Sequence, residues 1–164
     1  MKAHIARNQN AGVPLVLGWN LSPADRGKLE GMAPAFGMKV LVCTRTVRPE
    51  YAEDGVEFVD VDTLLARSDV LSLHCPATPA TRGLINAGAL AKAKPGMILL
   101  NTARGALVDE QAVADALKNG KLGFYGADAF GTEPLPQASP LRGLPNACLL
   151  YTSPSPRDRQ KSRM

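Results

Sequence analysis

The fold of this chain is indicated most clearly by residues 99–122, LLNTARGALVDEQAVADALKNGKL. An apolar run ends at Asn101, a lone arginine follows at Arg104, and a helical pattern starts at Asp109 and stops before Gly120. Aspartate is favoured at helix N-termini and glycine just beyond helix C-termini. The stretch therefore predicts a strand, a polar turn that carries Arg104, and a helix.

The same alternation of short β-rich runs and helical patterns extends through the rest of the chain. The predicted strands are Val13–Leu17, Lys39–Cys43, Val56–Val59, Val70–Leu73, Met97–Asn101 and Leu122–Ala127. The predicted helices are Pro23–Phe36, Val61–Arg67, Asn86–Ala93 and Asp109–Asn119. Because most of these strands are almost continuously apolar, we expect an α/β fold with a parallel sheet covered on both faces.

Length and composition indicate one ordinary domain and exclude several kinds of partner. The chain has 164 residues, of which 45% are hydrophobic, enough to bury a core. Of its net charge of +4, +3 lies in residues 151–164, so no nucleic-acid partner is expected. No apolar run has the length of a signal peptide or membrane span, which predicts a cytoplasmic protein without membrane contact. The three cysteines are widely spaced and form no CxxC pair, so neither a disulfide nor a metal site is expected.

Residues 148–164 form a tail that differs from the rest of the sequence. It contains two Ser-Pro pairs and a basic end without a hydrophobic period, which predicts disorder. Residues 148–158, CLLYTSPSPRD, also resemble one reading frame of a sequencing-library adapter, which predicts an assembly artefact. A natural basic tail and a nucleic-acid or membrane contact are the alternatives.

Polar residues follow four of the predicted strands, at the edge where open α/β sheets bind ligands. These strand ends are Cys43-Thr44-Arg45, Leu73-His74-Cys75-Pro76, Asn101-Thr102-Ala103-Arg104 and Ala127-Asp128. An arginine there suits bidentate binding of a carboxylate or phosphate, because its fork of donors matches two oxygens and keeps its charge. In the alternative interpretation Arg104 caps a turn or pairs with a nearby acid, and His74 is an ordinary strand-end histidine.

Three linked stretches, taken in order, resemble one protein family. They are residues 68–86 (SDVLSLHCPATPATRGLIN), residues 99–122, and residues 127–136 (ADAFGTEPLP) with the following PLRGLPN at 140–146. They resemble the NAD-binding domain of the D-isomer-specific 2-hydroxyacid dehydrogenases, which include glycerate dehydrogenase, hydroxypyruvate and glyoxylate reductases and phosphoglycerate dehydrogenase. The resemblance implies a Rossmann-like doubly wound parallel sheet, here incomplete at both ends. Residues 35–147 would form the dinucleotide-binding domain, after an atypical segment at 1–34.

The resemblance also implies roles for individual residues. Arg104 matches the arginine that binds the carboxylate of a 2-keto acid, and Glu133 matches the acid that hydrogen-bonds the catalytic histidine and raises its pKa. Asp128 matches the residue that contacts the nicotinamide carboxamide. Other matching positions line the cofactor: His74, Cys75, Pro76, Thr102, Ala103 and, more weakly, Thr81. Without the resemblance, Glu133 would be interpreted as a solvated loop acid.

The end of the second predicted strand bears on the choice of cofactor. NAD enzymes usually carry an acid there for the ribose 2′-hydroxyl, whereas an arginine accommodates a 2′-phosphate. This chain has Thr44-Arg45-Thr46, so we expect NADP to be preferred over NAD. Alternatively, Arg45 simply points into solvent.

The sequence departs from the family pattern at both ends. Residues 17–37, LGWNLSPADRGKLEGMAPAFG, replace the glycine-rich GxGxxG turn, which a frameshift, a splice of unrelated sequence or a diverged turn would each explain. Tyr151 and Thr152 lie about where the family has its Pro-His pair, and the first twelve residues leave no room for a substrate domain. We therefore expect a fragment that is inactive by itself.

The resemblance predicts an oxidoreductase that transfers hydride between NAD(P)H and a small 2-keto or 2-hydroxy acid, with a homodimeric parent enzyme. One alternative is a cofactor-sensing corepressor or interaction protein built on the same fold. Another is a formate or phosphonate dehydrogenase of the same superfamily.

Overall fold

The computed structural model describes residues 38–45 and 56–150, together with the backbone of a strand at residues 15–17. The seven strands of these residues form one sheet in the order β3-β2-β1-β4-β5-β6-β7, and all neighbouring pairs are parallel. Their bounds are β1 Leu15–Leu17, β2 Val40–Val42, β3 Val56–Phe58, β4 Val70–Leu73, β5 Met97–Asn101, β6 Leu122–Ala127 and β7 Ala147–Leu149. The strand order reverses between β1 and β4, as in doubly wound sheets. The predicted fold class is confirmed.

Three α-helices lie in the described part of the chain: α1 Val61–Arg67, α2 Ala87–Lys92 and α3 Glu110–Lys118. The predicted bounds of α1 match. Those of α2 and α3 differ by one residue at each end, because the outer residues serve as caps; the side chains of Asn86 and Asp109 accept hydrogen bonds from the first-turn amides. The helix predicted at residues 23–36 lies outside the described residues. No helix of the described ranges is long and apolar enough to cross a membrane.

The edge strand β7 corrects the predicted boundary of the tail. Cys148 and Leu149, assigned above to a disordered segment, pair with Gly126 and Ala127 of β6. The Leu150 amide adds a hydrogen bond to the Ala127 carbonyl, at 2.9 Å. A short apolar strand can join an existing sheet edge even when the sequence that follows it is polar. The remainder of the predicted tail, residues 151–164, lies outside the described residues.

The core fixes the strands on which the candidate site depends. Helix α3 packs against β6, and α2 contacts both α1 and α3, so the helices form one layer beside the sheet. Leu99 of β5, Leu122 of β6 and Val113 of α3 have no exposed surface. Burial of such side chains stabilises a fold by about 1.5–3 kcal/mol each. The carboxyl ends of β4, β5 and β6 are therefore held by a rigid base.

Candidate functional site

The sheet register brings three of the predicted strand ends side by side. Leu73 pairs with Asn101, and Asn101 pairs with Ala127, so the chain leaves β4, β5 and β6 at the same level. On the other side of the switch point, Leu17 of β1 pairs with both Val42 and Ser72, which places the end of β2 on the same edge. The residues predicted at the four strand ends thus share one edge of the sheet.

Asn101 folds the turn that carries Arg104. Its side chain is fully buried; Nδ2 donates to the Arg104 carbonyl at 3.0 Å, and Oδ1 accepts from the Ala103 amide at 3.2 Å. Beside it, burial raises the pKa of Tyr125 to about 12, and a hydrogen bond with Asn101 only partly opposes that shift. The phenol therefore stays neutral under the turn. Asn101 was not among the predicted site residues, although an amide that begins a turn is a recognisable signal.

The Arg104 side chain is exposed at the end of this turn. Its Nη1 donates to the Ala103 carbonyl at 2.7 Å. Arg104 precedes a 3₁₀ helix at Gly105–Leu107 but makes no side-chain capping bond to it. The three ion pairs among the described residues do not include it. The described part of the chain therefore gives no support to the acid-pairing alternative, whereas the bond to the Ala103 carbonyl is a contact within the turn, as the turn-capping alternative expects.

The turn after β5 packs directly on the loop after β6. A Cβ added at Gly105 would lie 1.9 Å from the carbonyl carbon of Phe130 and 2.3 Å from the amide nitrogen of Gly131. No side chain fits in such a space, so the two segments meet backbone to backbone. Gly105 was also missed from the sequence, because only the folded chain brings residues 105 and 130 together.

The loop at residues 128–136 carries Asp128 and Glu133, and both are exposed. The Asp128 amide donates to the Asn101 carbonyl at 3.0 Å, which joins the loop to the end of β5. Within the loop, Glu133 Oε1 accepts from the Phe130 amide at 3.1 Å. Farther along, Arg142 donates to the Leu135 carbonyl at 2.6 Å and to the Pro136 carbonyl at 2.8 Å. Although it lies on the surface, the loop is anchored near both ends.

The end of β4 presents a half-buried imidazole. The His74 Nε2 atom lies 2.8 Å from the Ser72 hydroxyl, and burial lowers the pKa of His74. Burial raises the pKa of the neighbouring Cys75 thiol, so both groups stay uncharged near neutral pH. They line a cavity of about 30 Å³ together with Cys43 and Leu73. Pro76 follows on the surface.

Thr81 supports the loop after β4. It is 2% exposed; its hydroxyl donates to the Pro76 carbonyl at 2.7 Å and accepts from the Thr78 amide at 2.8 Å. The hydroxyl is thus used within the loop. A cofactor contact of Thr81 stays a prediction.

The remaining predicted residues differ in their exposure. Thr102 is exposed and Ala103 is half-buried in the turn after β5. After β2, Thr44 is half-buried and Arg45 is exposed, while the predicted third member, residue 46, lies outside the described residues. In the described ranges, no group of three His, Cys, Asp or Glu side chains could hold a metal ion.

A parallel sheet of this strand order, with polar residues at the strand ends around its switch point, defines a dinucleotide-binding domain of the Rossmann class. The chain belongs to the D-isomer specific 2-hydroxyacid dehydrogenase family. The model of that family's NAD binding domain matches residues 27–151. The match thus begins inside the segment predicted to be atypical and runs through β7. The recognition made from the sequence is confirmed, and the domain binds NAD or NADP.

Individual relatives agree with this family. The chain is 37% identical over 150 residues to hydroxypyruvate reductase of Blautia hydrogenotrophica, covering 91% of this chain and 46% of the relative. A glyoxylate reductase from Paecilomyes thermophila superposes with a TM-score of 0.74 at 36% identity, covering 92% of this chain and 45% of that protein. A D-isomer specific 2-hydroxyacid dehydrogenase from Xanthobacter autotrophicus, solved with NADPH, gives a TM-score of 0.69 at 33% identity, covering 84% of this chain and 42% of that protein. The chain spans less than half the length of these relatives. Their names give no support to the corepressor alternative.

Proposed function

We propose that this chain is the cofactor-binding half of an oxidoreductase that transfers hydride between NAD(P)H and a small 2-keto or 2-hydroxy acid such as hydroxypyruvate or glyoxylate. The observation that carries the proposal is the exposed Arg104 guanidinium on a turn fixed by buried Asn101. Asp128 leaves the adjacent strand at the same level of the sheet. A cation held in this way is suited to orient a small carboxylate, because the backbone beneath it is fixed by hydrogen bonds and packing.

The residues at the strand ends fit a dinucleotide. Neutral His74 and Cys75 border a small apolar recess at the end of β4, and the exposed Thr102 and Asp128 side chains at the ends of β5 and β6 offer hydrogen bonds. We assign the binding of NAD(P) to these residues with Pro76 and Ala103. When bound, the nicotinamide supplies or accepts the hydride. The exposed Arg45 would add attraction for a 2′-phosphate, and we therefore propose that NADP is preferred.

In this proposal Arg104 orients the substrate, and Glu133 acts on the proton donor. Arg104 binds the substrate carboxylate with two donors and thereby orients the carbonyl carbon toward the cofactor. Glu133 hydrogen-bonds the catalytic histidine, which the family pattern places just after β7, and raises the pKa of that histidine, so that it can donate a proton to the developing alkoxide. The chain has two histidines, His4 and His74, and neither follows β7 as the family pattern requires. We therefore propose that the chain alone is inactive. A homodimeric parent enzyme and a cytoplasmic location stay predictions.

The test uses the gene product that carries this domain and follows NADPH oxidation with hydroxypyruvate and with glyoxylate. Arg104→Gln should lower kcat/KM by about 10²-fold or more, because the substrate is no longer oriented. Arg104→Lys should recover only part of this loss, since an ammonium group lacks the bidentate fork. NADPH affinity, measured by fluorescence titration, should stay within about twofold in both variants.

Arg67→Gln is the matched control. Arg67 is an exposed arginine at the end of α1, where it pairs with Glu57, and it lies before β4 rather than after it. Its loss should leave kcat/KM nearly unchanged, because this exposed ion pair is screened by water and lies away from the strand ends of the candidate site. Equal losses in Arg104→Gln and Arg67→Gln, or no turnover of any 2-keto acid by the unsubstituted enzyme, would contradict the proposed function.

A further inference from the structure

Two carboxylates from different parts of the chain bind neighbouring amides of one loop. Glu133 Oε1 accepts from the Phe130 amide at 3.1 Å, and Glu110 Oε1 accepts from the Gly131 amide at 2.9 Å. Glu133 belongs to the same loop, but Glu110 is the first residue of helix α3 and lies 21 positions earlier in the chain. The Glu110 bond therefore ties the loop of residues 128–136 to the helix.

The helix end is a rigid support for this bond. Val113 and Ala114 of α3 have no exposed surface, and α3 packs on β6. The helix start is fixed as well, because Asp109 Oδ1 accepts from the Gln111 amide at 3.0 Å and from the Ala112 amide at 3.1 Å. The half-buried Glu110 side chain thus has an anchored base, whereas Gly131 is an exposed loop residue.

Glu110 also belongs to the segment that carries Arg104. Arg104 and Glu110 are separated by five residues, the 3₁₀ helix at Gly105–Leu107 and the two residues after it. On the other side of the contact, a single residue separates Gly131 from Glu133. The Glu110–Gly131 hydrogen bond therefore connects the two segments that present Arg104 and Glu133. The bond from the Asp128 amide to the Asn101 carbonyl joins the segments where they leave the sheet, and packing of Gly105 against the Phe130–Gly131 peptide limits how close they come. The Glu110 bond adds a directional link nearer to Glu133.

We propose that Glu110 is a positioning residue that sets the placement of Glu133 relative to Arg104. This inference rests on the proposed function, in which those two side chains orient the substrate and its proton donor. Among the described residues, no hydrogen bond or ion pair joins Glu110 directly to either of them. Removal of its carboxylate lets the exposed Gly131 amide bond to water, so the fold loses little, but the alignment of the two segments relaxes.

An ordinary role for Glu110 competes with this one. An acid in the first turn of a helix is stabilised by the helix dipole and does not need to act on a loop. Glu110→Gln separates the two roles, because glutamine removes the charge that the dipole role requires but keeps an oxygen that can accept from Gly131. Glu110→Ala removes both.

The first measurement is amide hydrogen exchange of Gly131 in the chain itself, which needs no substrate. We expect faster exchange in Glu110→Ala, with near-normal exchange in Glu110→Gln. Gln111→Ala is the matched control from the same helical turn, because the Gln111 side chain bonds Asp115 on its own helix at 3.0 Å. Unchanged exchange in Glu110→Ala, or equally fast exchange in Glu110→Gln, would overturn the proposal.

The second measurement is steady-state kinetics of the gene product that carries the domain. Glu110→Ala should lower kcat by about tenfold while KM for NADPH stays within about twofold, since small misplacements of reacting groups slow the reaction without weakening the cofactor site. Glu110→Gln should restore most of the rate. A rate loss in Glu110→Gln equal to that in Glu110→Ala would overturn the proposal. If the unsubstituted enzyme reduces no 2-keto acid, the proposed function fails, and Gly131 exchange still decides whether Glu110 holds the loop.

Discussion

Two arginines follow strands at the same edge of the sheet, Arg104 after β5 and Arg45 after β2, but their supports differ. The Arg104 backbone is fixed by the buried Asn101 side chain and by the contact of Gly105 with Phe130. Arg45 is an exposed residue three positions after the end of β2. A small acid must be held in one orientation, which needs a fixed backbone. The 2′-phosphate of NADP needs only a positive charge nearby. An arginine at the end of a strand supplies that charge.

The largest effect on stability is expected when the close packing of the Arg104 turn against the loop after β6 is disrupted. Gly105→Ala should lower the free energy of unfolding by about 3 kcal/mol, because the new Cβ would lie 1.9 Å from the Phe130 carbonyl carbon and backbone must move to admit it. Urea unfolding of the chain, followed by circular dichroism, measures this loss. The same variant should weaken keto-acid turnover in the intact enzyme, since the Arg104 turn and the Glu133 loop are forced apart.

Gly88→Ala provides the control for this substitution. Gly88 lies in helix α2, and a Cβ there would meet only the side chain of Asn86, at 3.2 Å from the Oδ1 atom that caps the helix. Gly88→Ala should change the free energy of unfolding by no more than about 1 kcal/mol, because the higher helix propensity of alanine offsets the tight contact. If Gly105→Ala is no more destabilising than Gly88→Ala, close backbone packing does not fix the Arg104 turn, and the contrast with Arg45 is lost.

A smaller effect is expected at Arg45. Arg45→Ala should raise the Kd of the chain for NADPH by about tenfold and leave that for NADH nearly unchanged, since only NADPH carries the 2′-phosphate. Fluorescence titration with each cofactor measures both constants. Lys39→Gln is the control, because Lys39 is an exposed cation just before the amino end of the same strand. Equal weakening of both cofactors, or tighter binding of NADH than NADPH to the unsubstituted chain, would show that the NADP preference is wrong.

The strands and helices differ in how well the sequence predicts their bounds. Strands β4, β5 and β6 and helix α1 have the predicted bounds, because their apolar runs end at clear turn or cap residues. The predicted strands that correspond to β2 and β3 were two residues and one residue too long, and the first two residues of the strand predicted at β1 lie outside the described residues. Strand β7 was missed, since three residues beside a polar tail carry too little periodicity to be distinguished from it.

The candidate site was predictable only in part, for a physical reason. Parallel strands share their carboxyl edge, so the sequence could predict that His74, Arg104 and Asp128 meet there once the strands were known. The residues that hold them could not be found in this way. Gly105 contacts Phe130 and Glu110 contacts Gly131 across long sequence separations, and no local pattern records such contacts. The roles of Asp128 and Glu133 were drawn from the family resemblance and stay predictions.

The smallest expected effect on stability is at His74, at the end of β4, where the side chain is a neutral ring and not a cation. Burial lowers the pKa of His74 from its ordinary value of 6.5, so the unfolded chain binds a proton at this residue more readily than the folded chain does. The free energy of unfolding should therefore fall as the pH drops below about 6.5 and be independent of His74 above that pH.

His74→Gln should remove this part of the pH dependence. The expected difference between wild type and variant is at most about 1 kcal/mol, because the imidazole is only half-buried and solvent screens its charge. Urea unfolding of both proteins between about pH 5 and 8 measures this difference. His4 contributes equally to the pH dependence of both proteins, so its contribution cancels in the comparison. Equal slopes below pH 6.5 would mean that the His74 ring is charged as easily in the folded chain as in the unfolded one. The end of β4 would then resemble the cationic ends of β2 and β5, and its assignment to the apolar part of the cofactor site would be wrong.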